Sequence, residues 1–194
     1  MNRLDKQINF INEIEKLKVV KRQNLTLDNK RQENSAEHSW HLAMMAMTLL
    51  EQCQSPEVNQ LRVIKMLLIH DLVEIYDGDT FLYDDEARSI ASQKEELALI
   101  KLVSLLPEDQ ADEFTKLWYE FELSETEDAK FAGSLDALQP LLNHLITAPN
   151  NYNPHNIKVE KVIQRKELIK RNTPKLWSIV EETISKSVEK GLYD

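Results

Sequence analysis

The residues able to do chemistry fall in three places. The first is the stretch RVIKMLLIHDLVEIYDGDT (62–80), where His70 and Asp71 sit side by side and Glu74, Asp77 and Asp79 follow. The second is His38, with His41 three positions on. The third is Asp136, inside the apolar run GSLDALQPLL, with His144 two turns further along. Val63, Ile64, Met66, Leu67, Leu68 and Ile69 lead directly into His70, and so apolar a run wants burial on more than one side. Burying an unpaired carboxylate is very costly, so the acids that follow need a cation, a hydrogen-bond network or water.

Taken singly, each group has an ordinary reading. A lone His on a semi-apolar helix is more often a hydrogen-bonded core or surface residue than a ligand. A lone Asp usually caps a helix or faces solvent. Neighbours on a helix point about 100° apart, so His70 and Asp71 share an ion only if it lies over the line between them. Taken together, two imidazoles and two carboxylates suit one divalent transition ion, Mn²⁺, Fe²⁺, Co²⁺ or Ni²⁺. Zn²⁺ fits only as an open site, because no cysteine is at hand to close a structural one. Mg²⁺ alone avoids imidazole. Four protein ligands in a six-coordinate shell leave places for water and a substrate. Spacing alone leaves His41 and His144 as rival ligands.

The elements that must position these groups read as helices. Leu4, Ile8, Ile11, Ile14 and Leu17 recur at steps of three or four, an amphipathic helix over 4–20. The polar segment 21–33 reads as a loop. Asn34 or Ser35 caps a helix over 35–53. Pro56 opens the next, which ends near Tyr76 and Gly78. Residues 79–89 are acidic and irregular, and helices follow over 89–106, 108–122 and 125–147, the last beginning at Ser124 or Thr126. Pro140 removes a backbone hydrogen bond from that last helix and should kink it. Two more helices cover 156–171 and 175–190. No strand and no repeat stand out. The expectation is an all-α fold of seven or eight helices, with residues 1–194 as a single domain.

Composition bounds the function. The chain is 42% hydrophobic and 29% charged, as a folded globular chain is. A net charge of −9 argues against a nucleic-acid polymer as the main partner, since no excess of Lys and Arg exists to neutralise phosphates. A small phosphorylated ligand stays compatible, because one metal ion and one or two arginines hold it locally. Cys53 is the only cysteine, which suits a reducing cytoplasm. The start, MNRLDKQINF, lacks the apolar core of a signal peptide, and no run approaches the ~20 apolar residues of a membrane span.

The segments RQENSAEHSWHLA (31–43), IHDLVEIYDGDT (69–80) and SLDAL (134–138) together resemble the HD-domain metal-dependent phosphohydrolases, and most of all the branch that contains the 5′-deoxynucleotidases. The ordered pattern of H, then HD, then D spans residues 38–136, and the RxENxxEH entry makes it more specific than an isolated HD pair. The resemblance implies that His38, His70, Asp71 and Asp136 are the metal ligands. It also implies an α-helical domain, often a homodimer. Glu74 and Asp79 match acids that lie beside the metal in the similar nucleotidases, where they position or activate water and assist the leaving oxygen. Arg22, in LKVVKRQN, matches an arginine that contacts substrate phosphate there, and a bidentate guanidinium suits that ligand. In some relatives a Trp follows it near the sugar; this chain has Gln23. Lys21 is a second phosphate candidate, while Arg31 reads as structural, pairing with Glu33 or Glu37. The function so implied is removal of phosphate from a small phosphomonoester, a (deoxy)nucleoside 5′-monophosphate. The rivals are a non-catalytic nucleotide- or metal-binding HD module and a phosphodiesterase or triphosphohydrolase.

Overall fold

Helix α7 (Glu127–Thr147) is the element the others pack around: α2 (Ser35–Leu49), α3 (Gln60–Ile69), α6 (Glu108–Leu123), α8 (Val159–Asn172) and α9 (Trp177–Glu189) all contact it. Its sequence explains this. Ala129, Phe131, Ala132, Leu135, Leu138 and Leu141 are all buried, and they point in several directions, so the helix needs partners on more than one side. Thr126 caps its start by accepting from the Ala129 amide. Pro140 lies inside it, and the helix continues to Thr147. Gly133 also lies within it. In the computed structural model the backbone is described over residues 1–194, and the side chains for all but residues 85, 87–89, 91 and 92.

The remaining helices are α1 (Arg3–Ile14), the single turn α4 (Glu74–Asp77) and α5 (Asp85–Val103). Among the described residues this makes eight longer helices and one turn, with no helix long and apolar enough to cross a membrane. The last two helices close over the central one, burying Val162, Ile169, Val180 and Ile184 in the common core.

Three local expectations are corrected. Residues 21–33 are not a loop: Lys21–Leu25 forms β1 and Gln32–Asn34 forms β2, an antiparallel pair with an irregular register. A two-stranded ribbon with polar residues on both faces carries little hydrophobic alternation, which is why the sequence conceals it. Asn29, with φ 56°, makes the turn between the strands. The helix after Pro56 begins at Gln60, because the side chain of Asn59 accepts from the Arg62 amide and caps it there. That helix does not run on to Tyr76 as one piece. It ends at Ile69, His70–Val73 winds as a tighter 3₁₀ turn, and α4 follows. Gly78 then takes φ 82°, a left-handed turn that suits glycine.

Candidate metal centre

Three elements bring the polar residues of the sequence pattern together. His38 enters from the first turn of α2, which Asn34 caps by accepting from the Glu37 amide while the Glu37 side chain returns to the Asn34 amide. His70 and Asp71 sit on the 3₁₀ turn after α3, and Asp136 sits on α7. Ligand atoms of His38, His70 and Asp71 lie within 4.8 Å of one another. Asp136 Oδ1 stands 3.0 Å from His38 Nε2 and 3.6 Å from His70 Nε2.

Each imidazole is fixed by its other nitrogen. His70 Nδ1 donates to Leu67 O at 3.0 Å, the Trp118 indole donates to His70 O, and Phe121 lies against the ring. His38 Nδ1 faces Gln139 Oε1 at 3.0 Å, and Gln139 Nε2 donates in turn to Glu33 Oε1. Both rings therefore present Nε2 to the shared space, the arrangement that backbone and amide acceptors give to metal-ligating histidines.

The donor set fits a cation. His70 Nε2 is buried without a hydrogen bond, although Asp71 Oδ1 lies 3.0 Å away. A lone pair facing carboxylate oxygens in a buried site needs a positive charge between them, a proton or a metal ion. The electrostatics agree. Burial pulls the His70 imidazole down, but Asp71 and Asp136 outweigh it and push it up to about 9. Burial alone would raise the Asp136 carboxyl; the hydrogen bond from His38 and the nearby His70 imidazole hold it well below the usual carboxylate range instead.

Around these four stands a second group. β1 alternates, so Arg22 and Asn24 point inward while Lys21 and Gln23 are exposed. Lys21 therefore points away from the cluster. Arg22 Nη1 lies 2.9 Å from Asp71 Oδ2, 3.2 Å from Asp79 Oδ1 and 3.7 Å from Glu74 Oε1. Burial would lower the guanidinium, but those three acids together hold it above its ordinary value. Glu74 accepts from Ser35 Oγ at 2.5 Å, and burial followed by the Asp71 charge pushes its carboxyl up to about 9. Burial raises Asp79 as well. Arg31 lies apart, paired with Glu37 at 2.6 Å rather than with Glu33.

The rival histidines are elsewhere. His41 Nδ1 rests against Gln139 Nε2 at 3.2 Å, and His144 packs between Tyr152 and Tyr193. The three corners of the pattern other than His38 line one cavity of about 830 Å³, whose walls also carry Phe81, Tyr83, Tyr152, His155 and Lys166. Spacing singles out neither Gln139 nor Lys166, and offers Ser35 only as a helix cap. Gln139 was open to discovery, since it stands three residues after Asp136 and shares its helix face. Ser35 and Lys166 act across tertiary contacts that no spacing encodes.

Comparison with known proteins follows the same pattern. Residues 14–177 match a family model described as HD domain. The chain is 31% identical over 136 residues to the 5′-deoxynucleotidase HDDC2 of Mus musculus, a match covering 70% of this chain and 66% of that protein. The Homo sapiens 5′-deoxynucleotidase HDDC2 is 30% identical over 136 residues, covering 70% and 65%. The chain thus spans about two thirds of the length of these curated relatives. The crystal structure of a predicted metal-dependent phosphohydrolase from Magnetospirillum magnetotacticum superimposes with a TM-score of 0.91 at 42% identity, over 98% of this chain and 95% of that one.

Proposed function

The chain belongs to the HD domain family, and from that premise we propose that it is a metal-dependent phosphohydrolase, one domain over residues 1–194, that removes the phosphate from a (deoxy)nucleoside 5′-monophosphate. The observation that carries this reading is Arg22, drawn from a separate hairpin to within 2.9–3.7 Å of Asp71, Asp79 and Glu74 beside two inward-facing imidazoles. A binding module has no need of two extra buried acids at such a point; a hydrolase must both hold a phosphate and move a proton.

His38, His70, Asp71 and Asp136 would hold the divalent ion, with Mn²⁺, Co²⁺, Fe²⁺ or Ni²⁺ suited to mixed imidazole and carboxylate donors and Zn²⁺ compatible. When bound, it supplies Lewis acidity toward a phosphoryl oxygen and toward water. Arg22 swings from its acids to non-bridging phosphate oxygens, offsetting their charge as the P–O5′ bond lengthens. Asp79 accepts the proton of the attacking water, whose oxygen forms the new bond to phosphorus. Glu74, oriented by the Ser35 hydroxyl, delivers a proton to the departing O5′. The products are a nucleoside and inorganic phosphate.

Two observations support a nucleotide over a smaller ester. The cavity of about 830 Å³ exceeds what a bare phosphate needs. Its wall carries Phe81 tilted against His155 at 4.7 Å between ring centres and edge-on to Tyr83 at 5.5 Å, aromatic side chains of the kind that hold a base. The relatives named 5′-deoxynucleotidase agree with this. We also propose a cytoplasmic homodimer. Trp40, Met44 and Met47, at spacings of four and three on α2, leave 64%, 41% and 56% of their surfaces exposed, an apolar stripe that a second copy would cover.

The test is phosphate release from a panel of ribo- and deoxyribonucleoside 5′-monophosphates. The protein is stripped by chelator and reloaded separately with Mn²⁺, Co²⁺, Ni²⁺, Zn²⁺ or Mg²⁺. Metal-dependent release is expected, and the ribose-to-deoxyribose ratio reports what Gln23 does. Silence across the panel with metal retained rejects the reading.

A further inference from the structure

Lys166 is the buried cation that the scheme above leaves unused. It lies on α8, 1% exposed, and its side chain reaches the cavity that Arg22 and Asp136 also line. Nζ donates to Ala137 O at 2.6 Å, the carbonyl immediately after Asp136. That is its one hydrogen bond, and it makes no ion pair among the described residues. An ammonium has three donors, so two N–H groups are left for something in the cavity.

Such a placement is costly. A buried charge without a counter-ion destabilises the fold, and a methionine or leucine of similar volume would fill the same space without that cost. A purely structural clamp between α8 and α7 would need only one neutral donor. Burial pulls the Lys166 ammonium down to about 8, with Asp136 opposing and Arg165 reinforcing the fall, so the group still carries its charge at neutral pH. Counting charges identifies what it awaits. With Glu74 protonated as the acid of the scheme, Asp71, Asp79 and Asp136 carry three negative charges, and a divalent ion and Arg22 return three. The groups around the metal would then meet a phosphate dianion with no net positive charge to attract it. A further cation on the wall beside Asp136 supplies that attraction.

We propose that Lys166 is a second phosphate ligand, its ammonium taking a non-bridging oxygen of the monoester while Arg22 takes another. This rests on the phosphohydrolase reading and deepens it: the site is built for a dianionic phosphomonoester, held by cations from two elements far apart in sequence. Lys serves such a role as a point charge, without the fork geometry that Arg22 brings.

The experiment uses the metal-loaded protein and inorganic phosphate as the probe. Lys166→Met and Lys166→Arg are compared with wild type by calorimetric phosphate binding, metal content, thermal midpoint and the separate values of KM and kcat for a nucleoside 5′-monophosphate. Lys166→Met is expected to keep its metal and a thermal midpoint no lower than that of wild type, and to weaken phosphate binding and raise KM by roughly 10- to 100-fold, the loss of one charge-assisted hydrogen bond. Lys166→Arg should recover part of the phosphate affinity. In wild-type protein loaded with Zn²⁺, the Lys166 Nζ resonance should shift on phosphate addition, a readout that needs no variant to fold. Unchanged phosphate affinity in Lys166→Met, or an unmoved Nζ resonance while phosphate binds, overturns the assignment of Lys166 alone. A wild-type protein that holds metal, binds no phosphate and hydrolyses no monoester overturns the reading beneath it, and the assignment with it.

Discussion

Replacing Gln139 by leucine tests whether the site is organised around a metal at all. Gln139 is fully buried and touches no substrate-facing acid; it accepts from His38 Nδ1 at 3.0 Å and donates to Glu33 Oε1 at 3.0 Å. Leucine fills the space and removes both bonds, along with the contact of Gln139 Nε2 to His41 Nδ1 at 3.2 Å. The first loss frees the His38 ring and its tautomer, and loss of such an outer partner costs about 10- to 100-fold in metal affinity, or about 1.4–2.8 kcal/mol. The second loss falls on Glu33, whose Oε2 already has no partner. With both oxygens bare, the fold loses about 1–3 kcal/mol more. Burial already raises the Glu33 carboxyl. A group whose folded pKa is raised is favoured when protonated, so the stability deficit of the variant should grow as pH rises above the ordinary carboxylate range and shrink below it. Gln139→Glu is the control: it keeps an acceptor for His38 but sets a second carboxylate against Glu33, so it should hold metal and lose stability. The assay is competition for Mn²⁺ or Zn²⁺ against a chromogenic chelator, with thermal midpoints measured in excess chelator. Wild-type metal affinity in a folded Gln139→Leu protein would refute the idea that His38 is a ligand oriented through its Nδ1.

Asp71→Ala removes a carboxylate from within 4.8 Å of both imidazoles, and should abolish metal retention measured by elemental analysis after gel filtration. Glu74→Gln preserves the hydrogen bond to Ser35 but removes the transferable proton, so metal content should stay at the wild-type level while kcat falls by 10²-fold or more. Leu135→Ala, at a fully buried position on α7, should cost about 2–5 kcal/mol in urea unfolding without altering the metal preference. His144 should titrate near 4 by NMR, since burial and then Lys190 hold it down to about 4. Because that folded pKa lies below the ordinary value, its stabilising effect is present above pH 6.5 and is lost as pH falls from there toward 4, at no more than about 1.4 kcal/mol per pH unit.

Much of this was legible because periodicity reports burial. The apolar run 63–69 ends at His70, and the structure buries Val63, Met66, Leu67 and Ile69, while Ile64 is half-buried and Leu68 stays exposed. Asp136 stood out because an acid amid buried leucines has to be accounted for. What escaped the sequence depended on contacts without apolar contrast. The hairpin 21–34 is polar on both faces, yet its alternation is what aims Arg22 inward and Lys21 outward. The break at Ile69 escaped too, because apolar and acidic residues continue at helical spacing through a 3₁₀ turn. That turn sets adjacent residues about 120° apart rather than the helical 100°, and the His70 and Asp71 side chains still bend toward each other, Nε2 and Oδ1 being 3.0 Å apart. Family resemblance supplied what spacing left open, the choice of His38 over His41; the geometry adds a reason, since His41 rests on the amide that orients His38.

Pro140 links these parts. Without an amide hydrogen it leaves the Asp136 carbonyl one helical partner short, four residues back on the helix that carries the acid. A helix weakened at that point would let Asp136 drift unless other groups held it. Two side chains do so from outside: Asn24, on the strand that carries Arg22, donates to Pro140 O at 2.9 Å, and Lys166 donates to Ala137 O at 2.6 Å. The proline thus exchanges a self-sufficient helix for one braced by the hairpin and by α8, the two elements that supply the cations of the cavity. Asp136, Arg22 and Lys166 share one mechanical frame for that reason: either brace alone holds Asp136, and loss of both should be felt first in the position of Asp136 and only then in the fold.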